Sequence, residues 1–201
     1  MDIKNHYQQL FDTHGNSAKA VQWGDHASQT RRFEVLADIA PVLGSVADVG
    51  CGLGHLYTFL RQREPDLRYL GLDFVSDFIV AARQEFADCN ADFQVFDLFH
   101  DAVPTTYDYL MLSGVFNNEM DDNWGFMTHA LTAMFAGARK GIAFNAMSTY
   151  VDYHDPGLFY VDPGKVFDFC KKNLSNRVTL RHDYVLRDGG FPFEFAVYVY
   201  K

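Results

Sequence analysis

The chain has 201 residues, 48% hydrophobic and 21% charged, a globular balance that suits one domain around one core and argues against disorder as its main state. Seventeen Lys and Arg face 26 Asp and Glu, and this formal charge of −9 argues against DNA or RNA as a bulk partner. No apolar run approaches the roughly 20 residues a bilayer requires. The opening MDIKNHYQQLFDTHG has no basic stretch followed by an apolar one, and Cys51, Cys89 and Cys170 are odd in number without CxxC spacing. A cytoplasmic protein with reduced thiols, no membrane span and no metal site is the expectation.

No repeat or linker divides the sequence, so residues 1–201 read as a single domain: a lead-in or lid over 1–27, then a core over 28–201. The first helix is expected over 28–40, with Ser28 able to cap it, Phe33, Leu36, Ala37 and Ala40 on one face, and Pro41 as its stop. From there strands and helices alternate. Strand 46–49 runs into Gly50-Cys51-Gly52-Leu53-Gly54 and a helix carrying Leu56, Phe59 and Leu60. Strand 68–72 ends at Asp73, before a helix that Ser76 can cap. Strand 93–96 ends at Asp97, and strand 107–112 ends at Ser113 and Gly114. A helix from about Asn123 places Met127, Leu131, Met134 and Phe135 at helical spacing. Strand 141–146 follows, then a loop with aromatics between Tyr150 and Tyr160. Asp162-Pro163 marks the next helix start.

The last two strands, 177–186 and 193–200, are joined too closely for a parallel crossover and read as a hairpin. The sum is an α/β fold with a doubly wound, mostly parallel sheet and one antiparallel strand. Ligands of such sheets bind beyond the carboxyl ends of the strands, beside the first one. That rule selects the glycine loop, Asp73, Asp97 and residues 113–117. Glycines let the backbone pass close under a ligand, and the helix that follows presents free N–H groups to it. Asp73 at the second strand tip is placed to accept the two hydroxyls of a ribose, and Asp97 at the third to accept from an exocyclic amine such as adenine's. Three strand-tip features in register point to a nucleoside-containing ligand.

The loop reads G-x-G-x-G after the acid Asp48, and His55 stands where a dinucleotide fingerprint has its third glycine. ADVGCGLGHLYTFL is similar to the first motif of class I S-adenosylmethionine-dependent methyltransferases. YLGLDFVSDFIVAAR resembles their second-strand region, FQVFDLF their adenine-contacting segment and YDYLMLSGVFN their fourth-strand motif. The resemblance spans roughly residues 30–148. It implies a Rossmann-like, seven-stranded sheet ordered 3-2-1-4-5-7-6 and S-adenosyl-L-methionine as cofactor. It further implies Gly50, Cys51, Gly52 and Gly54 under the methionine and ribose, Asp73 on the ribose diol, and Phe74 against adenine. Asp97 is implied on the adenine amine with Leu98 alongside, and Ser113 beside the sulfonium. Asp48 is expected to brace the loop through backbone N–H groups or water, and Arg32 to pair with the cofactor carboxylate.

The methyl acceptor is expected to be a small molecule, since the chain adds little to the core. Its contacts are legible only faintly: Tyr153, His154 and Tyr160 as catalytic candidates, Tyr7 and Trp23 as a lid, Asn117 as an orienting group. His129 and His182 read as structural, Asp121 and Asp122 as a helix start, and Cys51 as a buried thiol without a nucleophilic role. Two rivals stand beside this reading: a non-catalytic S-adenosylmethionine-binding protein and an NAD-dependent oxidoreductase. Oligomeric state has no signature in the sequence.

Overall fold

The structure is a computed structural model that describes Thr13 and residues 26–201. Helix α1 (His26–Ala37) leads into β1 (Ser45–Val49), α2 (His55–Arg63), β2 (Arg68–Asp73), α3 (Ser76–Glu85) and β3 (Ala91–Val95). The second half runs β4 (Tyr109–Leu112), α4 (Asn123–Gly137), β5 (Gly141–Ser148), β6 (Tyr160–Val161), α5 (Pro163–Asn173), β7 (Val178–Arg181) and β8 (Glu194–Tyr200). The strands form one sheet ordered β3-β2-β1-β4-β5-β8-β7, with the two-residue β6 pairing off this path with β5. Apart from β6 this is the expected order, β7 and β8 being its sixth and seventh strands. Only β8 runs antiparallel to its neighbours, β5 and β7.

Alternation along each strand divides the core into two layers. Val46 and Tyr69 face the α1, α2 and α3 side with Leu36, Leu60 and Ile79. Ala47, Leu70 and Leu110 face the α4 and α5 side with Leu131, Met134 and Cys170. Strands covered on both faces lose the polar half of the two-residue pattern, and β1, β4 and β5 are buried at every position. β3, at the sheet edge, buries Phe93 alone.

Four local expectations are corrected. Helix α1 starts at His26, so Ser28 lies buried inside its first turn instead of capping it. Val75 holds the cap position of α3 and Ser76 is the first helical residue. The amide of Val75 is held by Asp73 Oδ1 at 2.9 Å, so the strand-tip aspartate does the work assigned to the serine. β6 was expected as loop. β7 ends at Arg181 instead of 186, where Asp183 folds back on the Arg181 guanidinium at 2.7 Å. Residues 182–193 are thereby released from the sheet, with Gly189 at φ 72° in their turn. Asp162 caps α5 as expected, accepting from Gly164 N at 2.6 Å and Lys165 N at 3.1 Å. No described helix is long and apolar enough to cross a membrane, and the three cysteines are free thiols.

Candidate functional site

All the parallel strands end on one edge of the sheet, and a cleft of about 1200 Å³ opens there. Its floor is the turn after β1. Gly50, Gly52 and Gly54 have φ of 79°, 53° and 80°, a region that side chains avoid. A Cβ on Gly50 would stand 2.3 Å from Val115 Cγ2, and one on Gly54 2.7 Å from the Phe86 ring. The turn is held to β2 by Gly50 N and Cys51 N, both donating to Leu72 O.

Asp73 clamps this floor. Its Oδ2 accepts from Gly52 N at 2.8 Å and its Oδ1 from Val75 N, so one carboxylate ties the glycine turn to the head of α3. The Phe74 amide also favours its ionised form, and the carboxylate retains acceptor capacity beyond these amides. Asp48, at the end of β1, takes the Tyr69 hydroxyl on Oδ2 at 2.6 Å. The expectation that Asp48 braces the loop amides is corrected: that brace is Asp73, because Asp48 shares its face of the sheet with Tyr69. Asp48 and Asp73 are 2% and 6% exposed. Burial pushes Asp48 up to about 7 against the opposing bond from Tyr69, and Asp73 up to about 6 against the opposing backbone amides. Neither has an ion-pair partner among the described residues. A buried carboxylate without a cation is costly, and a positively charged ligand relieves that cost.

Phe74, Asp97 and Leu98 also line the cleft. Asp97 accepts from Phe99 N at 2.9 Å and meets His100 Nδ1 at 2.9 Å. His129 stacks on Phe99 with ring centroids 5.0 Å apart, the structural place expected of it. Cys51 is 7% exposed and burial raises its thiol well above the ordinary range, in keeping with the absence of a nucleophilic role.

The opposite wall comes from the connections after β4, β5 and β7. Ser113 Oγ and Asn117 Oδ1 are buried there without a hydrogen-bond partner among the described residues. Asp122 caps α4 through Gly125 N at 2.8 Å, the expected helix start. Tyr153 and Tyr160 line the cleft, whereas His154 does not: it is exposed and stacks on Tyr160 at 4.2 Å. Tyr7 and Trp23 lie outside the described residues.

Arg32 lines the cleft, but its Nε donates to both oxygens of Glu194, at 3.1 and 2.9 Å. Glu194 of β8 thereby orients the Arg32 side chain on the cleft wall. Glu194 is 1% exposed, and burial raises its carboxyl while Arg32 opposes the rise. Asn145 Nδ2 donates to Glu194 Oε1 at 2.6 Å and Asn145 Oδ1 accepts from Gly114 N at 2.9 Å. A buried chain thus links α1, β8, β5 and the turn that carries Ser113. Sequence reading missed Asn145 and Glu194, although both are polar residues in otherwise apolar strands, where burial demands partners. Gln29, bonded to His55 Nδ1 at 3.2 Å, was also missed, as were Arg187, Phe191 and Phe193 on the cleft wall. Among the described residues no three or more His, Cys, Asp or Glu side chains are grouped to hold a metal ion.

A glycine turn clamped by an acid at the next strand tip, in this strand order, is the architecture of a nucleoside-binding α/β enzyme. A family model described as a methyltransferase domain matches residues 47–139. A Mycobacterium tuberculosis protein assigned as a methyltransferase is 33% identical over 164 residues, 78% of this chain and 93% of that protein. Trans-aconitate 2-methyltransferase of Escherichia coli is 31% identical over 107 residues, 43% of this chain and 42% of that enzyme. Among solved structures, magnesium protoporphyrin IX methyltransferase from Synechocystis PCC 6803 with bound S-adenosylmethionine superposes with a TM-score of 0.68. It is 14% identical, over 100% of this chain and 98% of that one. The chain belongs to the class I S-adenosylmethionine-dependent methyltransferases.

Proposed function

We propose that the protein transfers a methyl group to a small-molecule acceptor in the cytoplasm, with residues 28–201 as its catalytic domain. The observation that carries the cofactor half is the pair of buried, cation-free carboxyls at Asp48 and Asp73 beside the glycine turn. S-adenosylmethionine, when bound, supplies a sulfonium-borne methyl that passes to an acceptor heteroatom while sulfur keeps the bonding pair and the acceptor's proton leaves to water. A nicotinamide dinucleotide is disfavoured because His55 stands where its G-x-G-x-x-G fingerprint has the third glycine.

The residues divide the work. Gly50, Cys51, Gly52 and Gly54 give the backbone its close approach to the methionine and ribose. Asp73 uses its remaining acceptor positions for the ribose diol, and Asp48 faces the cationic end. Phe74 and Leu98 pack on the base and Asp97 accepts from its amine. Ser113 stands between the two halves, and Asn117, Tyr153 and Tyr160 position the acceptor. Because the methyl is already electrophilic, the protein's task is alignment and exclusion of water.

The small-molecule reading draws support from two relatives, whose names carry trans-aconitate and magnesium protoporphyrin IX as acceptors. Incubation with methyl-labelled S-adenosylmethionine and a cell extract tests it. Label is expected in the low-mass filtrate; label confined to the protein or nucleic-acid fraction contradicts the reading.

A further inference from the structure

The cleft exceeds the roughly 300–1,000 Å³ that ordinarily houses one drug-sized ligand, so at about 1200 Å³ it has room for an acceptor beside the cofactor. The β1–β3 tips serve the nucleoside; the acceptor's room is what the connections after β4, β5 and β7 enclose. Three features of that half are independent of one another. Its rim carries aromatic rings in solvent: Tyr153 is 69% exposed and Phe191 54%, with Phe193 edge-on to Phe191 at 6.2 Å. Exposed rings gathered on a cavity wall mark an apolar ligand. Its interior carries Asn117 Oδ1, a hydrogen-bond acceptor with no donor to meet it among the described residues. Among the described residues its charges are Asp121, Asp122, Asp152 and Asp155 against Arg187, the Arg32 charge on the same wall being matched by Glu194.

We propose that this half binds a neutral aromatic acceptor whose nucleophile is a hydroxyl or amine, its O–H or N–H donated to Asn117 Oδ1. The inference rests on the cofactor reading above and narrows its acceptor. An ionised carboxylate has no proton to give Asn117 Oδ1, and among the described lining residues it meets four aspartates against Arg187 and an Arg32 already paired with Glu194. A carboxylate acceptor such as trans-aconitate, the compound in the name of the Escherichia coli relative, is therefore the wrong chemistry for this chamber. The rings at the rim stack on the acceptor's plane, and the open mouth leaves a path to water for the proton released on transfer.

Calorimetric titration of 1-naphthol, 1-naphthylamine and 1-naphthoate into protein saturated with S-adenosylhomocysteine tests the proposal. Saturation itself is the control: failure of S-adenosylhomocysteine to bind overturns the cofactor reading, whereas the aryl probes speak to the acceptor alone. The hydroxyl or the amine compound is expected to bind one to one, and naphthoate at least about tenfold more weakly. Asn117→Leu should weaken the favoured compound about tenfold, and Phe191→Ala should weaken it while leaving S-adenosylhomocysteine affinity unchanged. Naphthoate binding as tightly as the neutral compounds overturns the proposal. So does loss of both neutral compounds from a protein that holds S-adenosylhomocysteine, or an Asn117→Leu variant that binds them undiminished.

Discussion

The two halves of the cleft are built in opposite ways. At the tips of β1 and β2 the polar groups are already engaged: Asp73 holds Gly52 and Val75, and Asp48 holds Tyr69. Across the cleft, Ser113 Oγ and Asn117 Oδ1 have no partner among the described residues, and Tyr153 and Phe191 stand in solvent. One half is preorganised for a ligand of fixed shape; the other is held in place from behind. The support is the buried chain from Arg32 through Glu194 and Asn145 to Gly114. Rigid support behind an open wall is how a fold keeps a constant donor site beside a variable acceptor site.

Breaking that support has the largest expected effect. Glu194→Ala leaves the Arg32 charge and the Asn145 amide buried without their partner, at a cost of about 3–5 kcal/mol. Chemical denaturation should show the loss as a fall in midpoint; a loss below about 1 kcal/mol would mean that the chain is not structural support. Next comes the cofactor floor. Gly54→Ala places a methyl 2.7 Å from Phe86 at a φ of 80°, and a loss of about 1–3 kcal/mol in stability is expected from the same measurement.

Protonation sharpens the contrast, because only the cofactor half buries unpaired acids. Asp48 and Asp73 rise from 3.8 to about 7 and about 6 in the ligand-free fold. The native state therefore binds more protons than the unfolded one between these values. The stability they contribute is fully present below about pH 4 and is lost as the pH climbs through 6 to 7. A cationic ligand favours the ionised form, so affinity for S-adenosylmethionine should rise about tenfold from pH 5.5 to 7.5. Asp48→Asn keeps the acceptor for Tyr69 but cannot ionise; it should flatten that rise and stabilise the ligand-free protein at pH 8. A pH-independent affinity in the wild type would remove the buried acids from the account. The smallest effect belongs to His154→Ala, which leaves methyl transfer within about twofold, since this exposed ring lies off the wall.

The same division explains what was legible in the sequence. The cofactor half is local: Gly50 to Gly54 fall in one turn, and Asp73 and Asp97 end the next two strands, so strand periodicity and glycine spacing place them together. The acceptor half joins Asn117, Tyr153 and Phe191 from three connections distant in sequence, and local pattern does not say which of their residues turn inward. His154 shows this: its neighbours Tyr153 and Asp155 line the cleft, whereas it is exposed and stacks on Tyr160. The hairpin was legible from its short link, but the early end of β7 was not. It depends on the Arg181–Asp183 contact and is what brings Phe191 and Phe193 to the wall. The Arg32–Glu194 pair was not legible for a related reason: its members lie 162 residues apart and are brought together only by the antiparallel strand.

Titration of S-adenosylhomocysteine into the wild-type protein and into Asp73→Ala, followed by calorimetry at pH 8, tests the central claim most directly. One-to-one binding by the wild type is expected, weakened about 10- to 100-fold in the variant as the carboxylate's bonds to ribose and to the glycine turn are lost. Equal affinity in the two proteins would contradict the claim that the clamp at the tip of β2 holds the cofactor.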